Sequence, residues 1–236
     1  MQSSLPLPRN PDGVSVKSFD AQPALDLFPG AALGFLTVPS APYPVGGDSG
    51  TSERVIGRLR DSHGSAEAVR GHLLWEEYRA FYTAMNVKAS AVSTPLKQAA
   101  RFLKAGAYRP IHPVVDVCME IEYALLCSLQ VYDLARIGAA VRYAPAVGGE
   151  SLVDAPEGAV ARAGECVLSD ELGLIHSPSL GNDHARLVGE DSTGALVRIL
   201  RIPGMDRSVF DRTVDEAARR LDAREVVVLD AAHPAV

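Results

Sequence analysis

The sequence predicts an α+β fold, with helices in the N-terminal half packed on a mostly antiparallel or mixed sheet from the C-terminal half. Three observations carry this. Apolar residues recur at spacings of three and four over residues 65–85, and a long apolar run follows over 114–129. From residue 139 the chain changes to short apolar runs closed by Gly, Pro or Asp, as strands are. One helical pattern then returns at 214–221 before a last run, EVVVLD. Helices first and strands after, without regular alternation, is the α+β pattern rather than the βαβ one.

Taken in order, residues 1–14 are rich in Pro, Ser and Gly and read as a loose leader, with 15–236 as one domain. A Phe-Pro-Gly turn at 28–30 leads into AALGFLTV at 31–38, a candidate buried strand. Three prolines and three glycines in residues 39–52 speak against regular structure there. Over 65–85, Val69, Leu73, Leu74, Tyr78, Phe81, Tyr82 and Met85 share one face of a helix. The next helix is punctuated at both ends, by Thr94 as N-cap, Pro95 at its first position and Gly106 as terminator. Its apolar stripe is Leu96, Ala99, Ala100 and Leu103, while Lys97, Arg101 and Lys104 share another face. The run over 114–129, broken by Glu120 and Glu122, reads as a largely buried helix. AAVRYAP, ECVLSD, GLIHSP, ALVRILRIP and EVVVLD read as strands, and the last helix turns Ala217, Ala218 and Leu221 inward.

A chain of 236 residues with 47% hydrophobic content can bury a sizeable core and fits one large domain. The net charge of −6 gives no basic field, so contact with a nucleic acid rests on a local patch. Cys118, Cys127 and Cys166 are odd in number and lack CxxC spacing, which points away from disulfides and zinc and toward a reduced interior. No signal-peptide pattern and no membrane-length apolar segment is present, so a cytoplasmic protein without a membrane partner is expected. Dinucleotide, P-loop, nucleophile-elbow and HExxH motifs are absent, and no cofactor is expected.

His176, Asp183 and His184 do not form a metal site by spacing: the two histidines share no helical face and nothing fixes a third ligand. Cys166 reads as a small buried hydrophobe rather than a nucleophile. HSPSLGNDH at 176–184 has two readings. It is a binding loop in which Gly181 admits a ligand to the backbone, or an ordinary turn closed by Asn182 and Asp183. His112, between Ile111 and Pro113, reads first as a buried hydrogen-bonded histidine and second as a ligand contact. The Lys97, Arg101 and Lys104 face, flanked by Lys88 and Arg109, holds a phosphate backbone or is simply solvated.

RPIHPVVDVCMEIEYALLCSLQVYD at 109–133, VRYAPAVGGE at 141–150, GECVLSDELG at 164–173 and HSPSLGNDH at 176–184 come in an order that resembles a known family. It is the B3/B4 editing region of the bacterial phenylalanyl-tRNA synthetase β subunit and its free-standing relatives. The likeness covers about 78–221. It implies an α+β domain around an amino-acid-sized pocket, hydrolysis of a mischarged aminoacyl ester, and tRNA or aminoacyl-tRNA rather than DNA as partner. By the resemblance, Gly181 falls at the family's pocket-wall glycine, and Asp183 and His184 echo the acidic residue and histidine after it. Arg142 and Glu150 match a strand arginine and a Gly-Glu turn of structural character.

The chain departs from the family at the chemistry. Gln130 stands where the editing histidine lies, before Val131, Tyr132 and Asp133. The strand that carries the editing glutamate is here LVRILRIP, with Arg198 and Arg201 and no carboxylate. The asparagine usual near the helix start is replaced by a Met119–Glu120 neighbourhood. Glutamine orients a hydroxyl or a water but is no general base near neutral pH. Arg198 favours an anionic group. The implied catalytic group is Gln130, Asn182 and His184, positioning water and ester. Gly181, Asp183, His176, Arg198 and His112 would contact a small amino-acid-like ligand, and Lys97, Arg101 and Lys104 the tRNA. The implied function is a stand-alone deacylase of mischarged or non-standard aminoacyl-tRNA. The alternatives are a non-catalytic tRNA-, amino-acid- or protein-binding module of the same fold, and a specialised enzyme on a reused scaffold.

Overall fold

The computed structural model describes residues 16–39 and 50–231. The expected leader, 1–14, and most of the expected break, 39–52, lie outside the described residues. The fold is α+β, built on two sheets rather than one.

The first sheet is antiparallel, with β2 (Ala32–Pro39) between β8 (Gly194–Arg201) and β9 (Glu225–Asp230), and β3 (Ser128–Asp133) outside β8. Seven of the eight β2 residues are buried, so its two faces are both covered and its sequence is apolar without alternation. One cover is α7 (Arg207–Leu221), begun by the Asp206 carboxylate accepting from the Ser208 N–H, with Phe210, Val214, Ala217 and Leu221 turned inward. A Cβ at Gly34 on β2 would lie 3.1 Å from Val214 Cγ2, so the helix packs directly on the strand backbone there. The candidate buried strand at 31–38 is thus β2, interior to this sheet.

The second sheet has the order β1 (Ser18–Asp20), β4 (Ala140–Pro145), β5 (Cys166–Asp170), β6 (Gly173–Ser177) and β7 (Gly181–Asn182). Only β1 and β4 run parallel. The two sheets meet through Phe19 of β1, stacked on Phe35 of β2 with ring centroids 4.4 Å apart.

The helices α1 (Gln22–Leu27), α2 (Thr51–His63), α3 (Ala66–Arg70), α4 (Leu74–Ala84), α5 (Pro95–Ala105) and α6 (Pro113–Leu125) precede most strands. Helix α5 carries the caps that its sequence predicts: Thr94 Oγ1 accepts from the Lys97 N–H, Pro95 is its first residue, and Gly106 closes it at φ +67°. The expected helix over 65–85 is two helices, because the chain breaks at Gly71–Leu73 and Leu73 points to solvent, 85% exposed. No element is predicted over 53–64, yet α2 runs there and buries Val55, Ile56 and Leu59. The run over 114–129 also divides. Helix α6 stops at Leu125, Leu126 turns left-handed at φ +57°, its carbonyl accepts from the Tyr78 hydroxyl, and β3 follows. Periodicity alone does not separate a buried helix from a buried strand in so apolar a run.

Three helices are tied by charge. Buried Glu120 of α6 accepts from both Nη atoms of Arg220 at 2.9 Å, from Arg58 at 3.2 Å and from Arg54 at 3.3 Å. Glu216 bridges Arg58 and Arg220 again, joining α2, α6 and α7.

Candidate functional site

A cleft of about 960 Å³ opens between α5, α6, β3 and the β6–β7 hairpin. Two cross-strand pairs furnish its polar lining. Gln130 on β3 lies opposite Arg198 on β8, and His176 on β6 lies opposite Asn182 on β7. Residues directly opposite in a sheet share a face, so two sheets each deliver a pair of polar side chains to one space.

These groups are already connected. Asn182 Oδ1 lies 2.9 Å from His176 Nδ1, and the Gln130 amide nitrogen stands 3.1 and 3.2 Å from the two ring nitrogens. The Tyr132 hydroxyl donates to Gln130 Oε1 at 2.6 Å and also lies 3.2 Å from Asn182 Oδ1. A neutral ring with its proton on Nδ1 satisfies both amides, donating to Asn182 and accepting at Nε2 from Gln130. Burial, and then the Arg198 charge, push the His176 pKa down to about 3, so the ring is neutral at pH 7. Glu122, at the end of α6, accepts from the Leu129 N–H at 2.6 Å and stitches β3 to the helix before it. Burial raises its pKa to about 8, against the pull of that N–H and of Arg198.

The hairpin that presents Gly181 and Asn182 is held from below. Buried Glu165 accepts from the hydroxyls of Ser177 (2.9 Å) and Ser179 (2.7 Å), and from the N–H groups of Arg162 (2.7 Å) and Ser179 (3.1 Å). Glu165→Ala leaves these donors unsatisfied and should cost about 2–4 kcal/mol of stability. Urea unfolding reads the loss, and amide exchange should quicken at Ser179 and Leu180. An unchanged midpoint and unchanged exchange would show that the carboxylate does not hold the hairpin. Gly181 is needed for its backbone, φ +93°; a Cβ there would meet nothing within 4 Å.

Of the predicted site residues, the fold gathers Gln130, His176, Gly181, Asn182, Arg198 and Arg101 around the cleft. The others are not brought there. The His184 side chain is 81% exposed and faces Asp154, with Nδ1 3.4 Å from its carboxylate, so it does not reach a water held by Gln130 and Asn182. Asp183 is wholly buried, accepts from the Ala185 N–H and faces Arg186. His112 caps α6, its Nδ1 accepting from the Val114 N–H at 3.3 Å. The Lys97 ammonium donates to the carbonyls of Ala89, Ser90 and Val92 at 2.6–2.9 Å and pins the loop before α5, so it is not offered to a polyanion. Lys104 is exposed at the far end of α5, away from the cleft. The cations at the cleft mouth are Arg101 and Arg109.

Glu122, Tyr132 and Glu165 are not among the predicted site residues. Their signal is faint but present: Glu122 and Glu165 are carboxylates inside apolar runs, where a charge is costly unless a partner is arranged for it.

No protein-family model matches this chain, and no curated protein matches it. Among solved structures it is similar to an N-terminal fragment of the phenylalanyl-tRNA synthetase β-subunit from Pyrococcus horikoshii, at 11% identity and a TM-score of 0.40. The likeness covers 89% of this chain and 49% of that one, so the chain spans about half the length of the fragment.

Proposed function

We propose that the cleft receives the aminoacyl end of a charged tRNA and hydrolyses its ester, making the chain a stand-alone aminoacyl-tRNA deacylase. The observation that carries this reading is the convergence of two cross-strand polar pairs on one cleft whose mouth bears Arg101 and Arg109. Its volume, about 960 Å³, is at the upper end of small-molecule sites and admits an amino acid with its nucleoside. The sequence resemblance to the B3/B4 editing region agrees with this ligand.

In this reading the chain acts by position. Gln130 and Asn182 orient a water against the ester carbonyl, and the neighbouring ribose hydroxyl assists departure of the alcohol. His176 contributes geometry rather than base strength, because a group with a pKa of about 3 holds no useful proton affinity at pH 7. The two mouth arginines meet the phosphates of the incoming end.

Deacylation of a panel of aminoacyl-tRNAs tests the reading. Release above the uncatalysed rate is expected for at least one member, and Gln130→Ala should lower kcat about tenfold to a hundredfold. Arg101→Glu with Arg109→Glu should raise KM and flatten its salt dependence, since fewer counterions are released. One observation favours a second reading, binding without turnover: both ring nitrogens of His176 are engaged, leaving no free base in the network. Saturable binding of aminoacyl-tRNA with no release above background would put that reading in place of the first.

A further inference from the structure

We infer that the amino-acid moiety taken by the cleft carries a side-chain carboxylate, and that Arg198 selects it. The inference rests on the cleft being an aminoacyl site and names the substrate class of that site.

Arg198 is 2% exposed, lines the cleft from the middle of β8, and holds its guanidinium 5.3 Å from the Tyr143 ring centroid. Among the described residues its Nε and Nη1 are buried without a hydrogen-bond partner, and no carboxylate pairs with it. The acidic group that faces it is Glu122, which interacts by charge but forms no ion pair. Burial pushes that carboxyl toward its neutral form, so it is a poor counter-ion near pH 7. Contact with an aromatic face offsets only part of the cost of a desolvated guanidinium. A carboxylate would complete the site, because its two oxygens match the planar fork of N–H donors.

The depth of Arg198 identifies which part of the ligand brings that group. Arg101 and Arg109 are exposed at the mouth, where a polynucleotide's phosphates arrive; Arg198 is the buried cation and meets what is inserted furthest. In an aminoacyl ester the α-carboxyl is consumed by the ester bond, so the carboxylate comes from the side chain. A phenol or an aliphatic side chain would seal the guanidinium away from water unpaired, which penalises neutral amino acids.

The test uses two pairs of constitutional isomers and no tRNA. Isoglutamine and isoasparagine keep only the side-chain carboxylate free; glutamine and asparagine keep only the α-carboxylate. Titration calorimetry on the full chain should show the iso-forms binding at least about tenfold more tightly than their isomers. Arg198→Met should remove that preference, with a loss of about tenfold to a hundredfold, and Arg198→Lys should lose less. The ligand-free Arg198→Met protein should melt no lower than the wild type, since an unpaired buried charge gives way to an apolar chain. Equal binding of the isomers, equally tight inorganic phosphate, or an unchanged preference in Arg198→Met would each overturn the inference. So would a clear drop in melting temperature in Arg198→Met, which would make the arginine structural. Carboxylate selection without tRNA deacylation would sustain the inference while the deacylase reading falls. Hydrolysis of a neutral aminoacyl-tRNA indifferent to Arg198 would do the reverse.

Discussion

Replacing Arg186 with methionine should cost about 3–5 kcal/mol, a large share of the stability of an ordinary domain. The Arg186 side chain is wholly buried, as are its two carboxylate neighbours. It is hydrogen-bonded to Asp170 Oδ2 and to the Arg136 carbonyl at 3.2 Å, and lies 3.4 Å from Asp183 Oδ2 in an ionic contact without hydrogen-bond alignment. Asp170 is committed elsewhere too, accepting from the N–H groups of Gly138 and Leu172. Removing the cation strands two acidic groups in a dry site, and the unfolded state hydrates them far better. Burial already pushes the Asp183 carboxyl upward, so that group takes up a proton more readily than an ordinary aspartate. Urea unfolding measures the loss, and Asp183→Asn added to Arg186→Met should recover part of it, because one stranded charge is gone. A wild-type midpoint in Arg186→Met would mean that water, not Arg186, balances these carboxylates.

That cluster shows why the sequence was only partly legible. Arg186 and Asp183 are three residues apart in one turn, but Asp170 comes from the end of β5, and no local pattern announces a long-range buried pair. Caps are local, and so α5 could be read at both ends from Thr94, Pro95 and Gly106. Helix α2 has such a mark at its end alone, where Gly64 follows at φ +73°. It starts after Gly50 with no side-chain cap, and its buried face is sparse among charges, so packing rather than propensity defines it. Gln130, His176, Gly181, Asn182 and Arg198 could be nominated because the resemblance placed them, and the fold brings them to one cleft. His184 and Lys97 show the opposite limit. Spacing puts them beside binding residues, yet one turns to solvent and the other spends its donors on three carbonyls. Side-chain direction is decided by tertiary contacts that a linear pattern does not carry.

Two cleft residues should shape the pH dependence of the wild-type chain's stability, Glu122 on the alkaline side and His176 on the acid side. Glu122 supplies the alkaline flank. Its folded-state pKa of about 8 lies above the ordinary 4.5. Below pH 4.5 the folded and unfolded states both keep the proton, and its contribution is fully present. As pH rises through 8 the unfolded state has already released it while the folded state resists, so stability is lost. His176 supplies the acid flank with the opposite sign. Its folded-state pKa of about 3 lies below the ordinary 6.5, so stability is full above 6.5 and falls as pH drops toward 3. Each flank is worth a few kcal/mol, at about 1.4 kcal/mol per unit of pKa difference. Urea unfolding of the wild type from pH 3.5 to 9 should trace both limbs. Glu122→Gln keeps an acceptor for the Leu129 N–H and should flatten the alkaline limb alone. His176→Gln should make the acid limb shallower and leave the alkaline one as it is. Taking each mutant as a difference from wild type removes the other carboxylates from the comparison. If Glu122→Gln leaves the slope between pH 6.5 and 8 unchanged, the carboxyl at the cleft is ionised in the folded state. Arg198 would then have a counter-ion of its own, and its call for a ligand carboxylate would lapse.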